Sequence, residues 1–520
     1  MPPACVADAG LVSSCRRTSR AWVLASVCLA ALAMPLSFTG PAVALPALRD
    51  ALGGGPLALN WVTNAFMLSF GATLLAAGAL ADLLGRRRVF LWGLALVLAS
   101  ALAQACLGAG AIAVFDLLRG LQGLGAAAAL AGGTAALAQV FDGPGRMRAF
   151  SCVGTAFGAG LASGPLLSGW LLGLAGWRGV VLSVAVVALA ALALGRLRMP
   201  ESRNPQAQRL DWRGAVLFSM ALALLTCGVL QGPEAGWGRA ATVLPLAGGV
   251  LAMAAFVWVE RRIDQPLLEL SLFRYPRFVG VQLLAAAPAY AFVVLLVLLP
   301  VRFIGVEGLA PLQAGRLMFV LSLPMLCVPL LAGWLARWLS AALLCAAGLL
   351  VCAVGLLWLA RCAPGTAFVQ MAPPLLLIGL GIGLPWGLMD GLAVSVVPRE
   401  RAGMATGIFS TVRVAGEGIA LALVGAGLVA LLAWQLQGLP TAGGAAHGAS
   451  EAAVRHAAQR LATGDLEGAL ALLPGASART VLAAYGEAFA RLLEVLAGVT
   501  VATALAVFAC LRVGQGAGDA

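Results

Sequence analysis

Two charged side chains interrupt one of the long apolar runs of this sequence. Arg413 and Glu417 lie within FSTVRVAGEGIALALVGAG, residues 409–427, whose other members are apolar, small or hydroxyl-bearing. In a helix, the i,i+4 spacing places both side chains on one face. If the run crosses a bilayer, each charge costs roughly 2.5–3.5 kcal/mol on insertion scales. A charged pair that is present despite this insertion cost indicates one of two roles. The two charges neutralise each other and link helices, or one of the side chains binds and releases protons.

Proton handling is the functional interpretation of this pair. Burial disfavours the charged form of a carboxyl group, whereas a neighbouring guanidinium favours it. Movement of Arg413 away from Glu417 would load a proton onto the carboxylate, and its return would discharge that proton. The sequence therefore predicts Glu417 as a proton-coupling residue with Arg413 as its partner. The structural link is the alternative.

Three more ionisable residues fall in apolar runs. Asp116 and Arg119 are three positions apart, and Asp390 lies in GLMDGLAVSVVP, residues 387–398. All three are candidates for proton coupling. Alternatively, Asp116 lies at the hydrated outer end of its membrane segment. Alternatively, Asp390 lines a cytoplasmic vestibule.

Composition limits the other chemistry that the chain can perform. Its 520 residues are 62% hydrophobic and 10% charged, against about 45–50% apolar and about 25% charged in soluble proteins. Lipid is therefore the expected solvent, and the net charge of +12 is too dispersed to indicate nucleic acid. The two histidines, His447 and His456, fall in a polar segment, and the 11 cysteines lack metal-ligand spacing. No metal, cofactor or catalytic residue is predicted.

The apolar runs predict an all-α membrane protein, because about 20 apolar residues are needed to cross the hydrocarbon as a helix. Alternation typical of membrane strands is absent. The least certain division lies near Gly176, between the fifth and sixth segments. Fourteen segments are predicted to cross: 21–45, 57–80, 89–107, 111–140, 149–174, 177–194, 214–230, 240–259, 278–299, 315–335, 341–360, 368–397, 405–432 and 495–511.

Arginine distribution predicts the orientation of these segments. Most arginines of the short loops fall on the side of the N-terminus, including Arg86, Arg87 and Arg88. Positive loops stay in the cytoplasm, so both termini are predicted to be cytoplasmic. The protein is expected in the inner membrane of a bacterium, with a large outer loop over 434–490 that contains amphipathic helix.

The loop after the second segment carries the most specific motif, GALADLLGRRR at residues 78–88. It resembles the signature of the major facilitator superfamily, G-x-L-a-D-x-x-G-R-R/K-x, in the same loop. The resemblance implies a charge clip that holds the cytoplasmic face of a transporter closed. Its members here are Gly78, Asp82, Gly85, Arg86, Arg87 and Arg88.

Other stretches are similar to motifs of the 14-helix drug:proton antiporter branch of that family. LLRGLQGLGAA, at residues 117–127, resembles its basic motif and places Arg119 as the intramembrane arginine. GLASGPLLSG, at 160–169, resembles its antiporter motif. In that motif Gly160, Gly164 and Gly169 would let neighbouring helices approach, and Pro165 would bend the helix. PLLELSLF at 266–273, GLAPLQAG at 308–315 and VPRERAGMATG at 397–407 resemble its connectors.

One departure concerns the substrate cavity. The branch usually carries an acid in its first segment, and Ser37 stands at that position in LSFTGPAVALP, residues 36–46. Ser37 and Trp386, the latter in a glycine-rich segment, are the predicted cavity residues. The loss of the acid weakens the expectation of a typical exporter of cations.

The resemblance also implies a division of the chain. AGWLAR at 332–337 echoes AGALAD at 77–82, which makes the tenth segment the counterpart of the second and the thirteenth that of the fifth. The expected units are a tail over 1–20, a six-helix bundle over 21–197, two inserted helices over 198–272, a second six-helix bundle over 273–514 and a tail over 515–520.

The predicted function is secondary active transport by alternating access. The leading prediction is a proton-coupled efflux antiporter of amphipathic small molecules. Its expected partners are the bilayer, protons and a small-molecule substrate, and its expected state is a monomer. A transporter of one metabolite is the first alternative. A membrane enzyme or a sensor is the second, and the absence of a P-loop lysine argues against nucleotide hydrolysis as the energy source.

Overall fold

The computed structural model describes residues 8–512 except 142, 204–210, 264–267, 269, 397–401, 439–450 and 474, and side chains from Arg20 onward with a few further gaps. The predicted tail over 515–520, His447 and parts of the connectors at 266–273 and 397–407 lie outside the described residues. Helices make up nearly all of the described chain, and no strand occurs in it. The predicted all-α class is confirmed.

Seventeen α-helices follow one another along the described chain. In order they are α1 Asp8–Leu52, α2 Pro56–Leu84, α3 Arg86–Ala105, α4 Ile112–Val140, α5 Gly143–Arg198, α6 Trp212–Ala235, α7 Ala240–Glu260, α8 Pro276–Pro288, α9 Val294–Pro300, α10 Pro311–Ser322, α11 Val328–Leu335, α12 Ala341–Ala360, α13 Phe368–Ser395, α14 Ala402–Gln437, α15 Glu451–Ala462, α16 Leu466–Ala471 and α17 Ala478–Arg512.

The number of membrane crossings agrees with the sequence prediction. Thirteen helical stretches of the described chain are long and apolar enough to span a bilayer. One of them, Cys152–Arg198, is too long for a single crossing and is broken at Gly176, where φ is 65° and ψ is −167°. Glycine adopts that backbone conformation readily because it has no Cβ. The break divides this stretch into two crossings, so the thirteen stretches make fourteen crossings.

Proline shapes the ninth and tenth crossings. The ninth, Pro276–Val306, joins α8 to α9 through π-helical turns at Ala289–Val293 and Val301–Val306, each directly after a proline. The tenth, Pro311–Leu335, joins α10 to α11 through a 3-10 turn at Leu323–Leu326. Proline has no N–H to donate, so the helix changes its hydrogen-bond pattern at these points instead of ending.

The predicted loop over 434–490 is shorter than expected. Helix α14 continues to Gln437, and α17 begins at Ala478 because Val481, Tyr485 and Phe489 recur on one buried face. Between them, α15, the turn at Gly464 and α16 form a compact element that we call the cap. Buried Val454, with Ala457, Ala458 and Leu461 of α15, supplies the apolar face that the sequence pattern predicted.

A buried ion pair lies near the cap. Arg302 Nε lies 2.6 Å from Glu307 Oε1, and the two side chains are 2% and 4% exposed. Arg302 also donates to the carbonyl oxygen of Cys362, and Glu307 accepts from the backbone N–H of Gly365. These bonds attach the end of the ninth crossing to the turn between α12 and α13. Arg302 was not among the residues predicted from the sequence.

Helices α1–α5 meet helices α8–α17 along a surface that we call the seam. At one crossing a Cβ on Gly315 of α10 would stand 3.0 Å from the carbonyl oxygen of Pro165 of α5. At another, a Cβ on Gly71 of α2 would stand 2.6 Å from the backbone of Ala415 in α14. Helices α6 and α7 pack on each other, and α6 contacts α2 and α14. Because α2 runs from the cap to the GALADLLGRRR motif, the bundle has a cap face and, at its other end, a motif face.

Candidate transport site at the seam

Arg413 of α14 forms an ion pair with Asp390 of α13. The distance from Arg413 Nη1 to Asp390 Oδ1 is 3.4 Å, and the side chains are 14% and 58% exposed. Glu417 was the predicted partner of Arg413, but no ion pair joins these two in the described structure. The guanidinium instead reaches across to the neighbouring helix. In this conformation the ion pair of Arg413 is with Asp390, and the proton-coupling role of Glu417 with Arg413 stays a prediction.

Aromatic rings surround the Arg413 guanidinium and connect it to the seam. Its carbon lies 5.4 Å from the ring centre of Phe409 and 5.8 Å from that of Trp386. Trp386 in turn stacks on Phe157 of α5, with ring centres 6.2 Å apart and planes inclined by 27°. A cation over an aromatic face gains about 0.5–2 kcal/mol. The predicted cavity residue Trp386 therefore links the charged pair to the N-terminal helices.

Glu417 lies one helical turn beyond Arg413 and is 2% exposed. The opposite face of α14 packs on α2, where Ala415 meets Gly71 and a Cβ on Gly418 would lie 3.4 Å from the backbone of Leu68. Small residues on that face bring α14 close to α2 and turn Glu417 away from it. The arrangement provides a buried carboxyl group next to a guanidinium that is bonded elsewhere.

Arg119 is the buried arginine of the N-terminal helices, at 1% exposure. Its Nε donates to the Val62 carbonyl oxygen at 2.8 Å, and its Nη1 donates to Gln122 Oε1 at 2.6 Å. The guanidinium carbon lies 4.6 Å from the ring centre of Phe66. Gln104 donates to Gln122 at 3.2 Å and extends the network to α3. Neither glutamine was predicted from the sequence, although the i,i+3 spacing of Gln122 to Arg119 could have indicated this hydrogen bond.

Asp116 does not take part in this network. The structure records no ion pair between Asp116 and Arg119, and Asp116 Oδ1 is buried without a hydrogen-bond partner, as is Arg119 Nη2. Asp116 as a whole is half-buried near the start of α4. The hydrogen bonds of Arg119 go to an amide and a carbonyl, and the proton-coupling roles of Asp116 and Arg119 stay predictions.

The GALADLLGRRR motif forms a network at the motif face. Asp82 pairs with Arg86 at 2.9 Å, and Arg86 Nη1 donates to Gln139 Oε1 of α4 at 2.8 Å. Gly78 has no atom within 4 Å of the place where a Cβ would stand. No neighbouring helix packs closely against Gly78 in this conformation.

The rest of that motif contacts the segment after α5. Gly85 has φ 117°, and a Cβ there would meet the carboxylate of Glu201. Glu201 accepts from the Arg87 backbone N–H at 3.2 Å and lies 3.6 Å from Arg88 Nε, while Arg87 Nη2 donates to the Arg196 carbonyl oxygen. Glu201 was missed by sequence analysis, although it is the one acid among the arginines at 196–203.

The antiporter motif packs α5 against two helices. A Cβ on Gly160 would lie 2.8 Å from the Leu32 carbonyl oxygen, and one on Gly164 would meet the Thr39 hydroxyl, so both glycines let α5 approach α1. Gly169 and Pro165 lie against α10, next to Pro311 and Gly315. The motif therefore serves close packing both within the N-terminal helices and across the seam.

Ser37 is 1% exposed, and its hydroxyl donates to the Ala33 carbonyl oxygen at 2.8 Å. The hydroxyl group of Ser37 is therefore hydrogen-bonded within its own helix, α1. The position that carries an acid in the resembling branch offers no free polar group in this conformation.

The comparisons with known proteins agree with this geometry. The family model of the Major Facilitator Superfamily matches residues 27–421. A bundle of membrane-crossing helices with a charged loop motif is the architecture of a membrane transporter, and the family match shows that the chain belongs to the Major Facilitator Superfamily. The resemblance inferred from the motifs is confirmed.

Curated relatives with described roles include exporters. The chain is 38% identical over 397 residues to the cephamycin export protein CmcT of Amycolatopsis lactamdurans, covering 74% of this chain and 79% of that protein. It is 32% identical over 397 residues to the multidrug resistance protein Stp of Mycobacterium tuberculosis, covering 76% and 73%. It is 34% identical over 412 residues to the puromycin resistance protein pur8 of Streptomyces alboniger, covering 78% and 81%.

Solved structures show the same fold at low identity. A bacterial homologue of the human lysosomal transporter Spinster, in an inward-facing and unoccupied conformation, superposes with a TM-score of 0.62 at 15% identity, covering 95% of this chain and 97% of that one. A peptide transporter POT with bound sulfate superposes with a TM-score of 0.59 at 14% identity, covering 94% and 95%.

Proposed function

We propose that the protein is a proton-coupled exporter of amphipathic small molecules. The observation that carries the proposal is the division of charges on α14 and α13: Arg413 is bonded to Asp390, and the buried carboxyl group of Glu417 lies one turn away without that guanidinium. The roles in the names of the curated relatives, export of cephamycin and resistance to puromycin and other drugs, support the direction of transport and the class of cargo.

Transport then uses Arg413 as a switch between two acids. While Arg413 binds Asp390, Glu417 has no ionic partner and holds a proton. When the helix sets rock across the seam, Arg413 moves to Glu417 and displaces the proton, because a close positive charge favours the carboxylate. The buried Arg119 network joins α2, α3 and α4 within the N-terminal helices, and the protein works as a monomer.

The orientation follows the same proposal. The motif face, with Arg86, Arg87 and Arg88, is cytoplasmic, and the cap face is on the outside. Both termini then lie in the cytoplasm of a bacterium, and the seam divides two six-helix bundles, with α6 and α7 as inserted helices.

Purified protein in liposomes tests the coupling. An imposed pH gradient should drive radiolabelled puromycin across the membrane by wild-type protein, and Glu417→Gln should lose the dependence on the gradient. Glu494→Gln, the same change at an exposed position of α17, is the matched control and should transport as the wild type does. Unchanged pH dependence in Glu417→Gln would remove this residue from the mechanism.

Transport of a single metabolite is the second candidate. It is favoured by Ser37, whose hydroxyl is bonded to its own helix and leaves the first crossing without an acid for cationic cargo. Growth inhibition of a deletion strain by many unrelated toxic compounds would support export of broad range. Sensitivity to none of them would support the single-metabolite transporter.

A further inference from the structure

A groove lies between the end of α12 and the start of α13, at the cap-face end of these helices. We call it the α12–α13 groove. It has a volume of about 450 Å³. Trp358 and Arg361 line it at the end of α12, Thr366 lines it from the turn, and Gln370 and Pro373 line it from α13. Both helices belong to the C-terminal set, so the groove is not a site between the two helix sets.

The groove lies at the edge of the hydrocarbon core. Helix α12 has 20 residues and is therefore about 30 Å long at 1.5 Å per residue, which equals the thickness of the hydrocarbon. Arg361 directly follows the last residue of α12, so it stands at the level of the lipid headgroups. Trp358 is half exposed and lies one turn deeper, at the depth where aromatic rings are enriched in membrane proteins.

Two apolar stripes continue the walls of the groove along the helices toward the motif face. Their members recur three or four positions apart, so each stripe lies on one helix face. These exposed residues are Leu350, Val354 and Leu357 of α12 and Leu376 and Leu380 of α13. A groove with a cation at one end and apolar stripes below it matches the polarity of a phospholipid, in which an anionic phosphate is joined to acyl chains.

The polar side chains at the headgroup end are free to bind an anion. In the part of the chain that the structure describes, Arg361 and Gln370 form hydrogen bonds only through their backbones. The Thr366 hydroxyl, by contrast, donates to the Ala363 carbonyl oxygen at 2.6 Å. Arg361 is the one charged residue among the described lining residues. Its guanidinium and the Gln370 amide therefore offer N–H donors to phosphate oxygens without competition from an acid in that lining.

The turn between α12 and α13 is held from inside the protein. Arg302 donates to the Cys362 carbonyl oxygen at 2.9 Å, and Glu307 accepts from the Gly365 backbone N–H at 3.2 Å. Because Glu307 is paired with Arg302, its negative charge does not cancel the charge of Arg361. The groove is therefore preformed, and a ligand binds there without a large cost of ordering the turn.

We propose that the α12–α13 groove binds an anionic phospholipid from the leaflet at the cap face. The lipid phosphate accepts hydrogen bonds from the Arg361 guanidinium and the Gln370 amide, and the acyl chains lie along the two apolar stripes. A zwitterionic lipid binds less tightly, because its amine meets no acid among the described lining residues. The site does not depend on the proposed transport function.

Native mass spectrometry of the purified full-length protein, titrated with phosphatidylglycerol or phosphatidylethanolamine, tests the proposal. The wild type should bind the first phosphatidylglycerol more tightly than the first phosphatidylethanolamine. Arg361→Gln should weaken phosphatidylglycerol binding about fivefold, as expected for one arginine near a membrane surface. Arg239→Gln is the matched control and should leave that binding unchanged. Arg239 is also exposed at the cap face near an exposed tryptophan, Trp237, but does not line the groove.

A second variant tests the apolar part of the site. Val369 lines the groove and is 78% exposed, so Val369→Trp should fold while its ring fills the groove and weakens binding of both lipids. Excess inorganic phosphate should not displace phosphatidylglycerol, because it has no acyl chains. Displacement by phosphate would assign the groove to a free anion and overturn the lipid site. Equal affinity of the wild type for the two lipids, or equal phosphatidylglycerol affinity of the wild type and Arg361→Gln, would also overturn it.

Discussion

Arg49 and Asp465 join the end of the first crossing to the cap through an ion pair with 3.2 Å between Nη1 and Oδ1. Arg49 also donates to the carbonyl oxygen of Gly464 at 3.4 Å, and Asp465 accepts from the Gly468 backbone N–H as the N-cap of α16. The contact connects residues more than 400 positions apart, from the N-terminal helices to the cap.

Loss of this contact should loosen the cap. Arg49→Ala removes a partly exposed pair worth about 0.2–1 kcal/mol, so the cap should open up to about fivefold more often. Trypsin cleavage at Arg455 and Arg460 of the cap measures that opening. Arg49→Lys keeps the charge and should return cleavage toward the wild-type rate, and equal rates in Arg49→Ala and wild type would show that the pair does not hold the cap.

Arg413 should be required for coupling more than for folding. Arg413→Ala leaves Asp390 without its ionic partner, but this side chain is 58% exposed rather than buried in protein, so the protein should still accumulate in the membrane. Gradient-driven transport of puromycin should fall at least tenfold. Arg413→Lys keeps the charge but loses the planar contact with Trp386, and it should give an intermediate rate. Full activity of Arg413→Ala would contradict the switch.

The stacking of Trp386 on Phe157 should stabilise this conformation across the seam. Trp386→Leu and Phe157→Leu should each lower the temperature of thermal unfolding in detergent. A double-mutant cycle should give a coupling of about 0.5–1.5 kcal/mol, the range measured for aromatic pairs. Coupling near zero would mean that the two rings contribute separately.

Glycines of α2 should differ sharply in their tolerance of a side chain. Gly71→Val would press on the backbone of Ala415, 2.6 Å from a Cβ at this position, and overpacking of this kind costs about 1–3 kcal/mol. Lower thermal stability and lower transport are expected. Gly78→Ala, on the same helix but facing open space, is the matched control for stability. Loss of transport in Gly78→Ala with normal stability would show that Gly78 is packed in another conformation.

The sequence was sufficient for the crossings because each is encoded by its own apolar run. The break between the fifth and sixth crossings depends on the backbone conformation of one residue, Gly176, and was located correctly. The cap helix was also predicted, since its apolar residues recur at helical spacing. The extent of α17 was underestimated because its first turns, which contain Tyr485, are packed against protein and are less apolar than a lipid-facing segment.

The partners of the buried charges could not be predicted from spacing. Arg413 and Asp390 are 23 positions apart on different helices, whereas the i,i+4 rule considers only one helix. Arg119 bonds to a backbone carbonyl, a partner that is present everywhere in a sequence and therefore gives no signal.

The glycine crossings of the seam have a mechanical consequence. At Gly315 and at Gly71 the facing atoms are backbone atoms of Pro165 and Ala415, with no side chain interlocked between the helices. A side chain at either glycine would therefore meet backbone that cannot give way, so these two contacts set how closely the two helix sets approach each other.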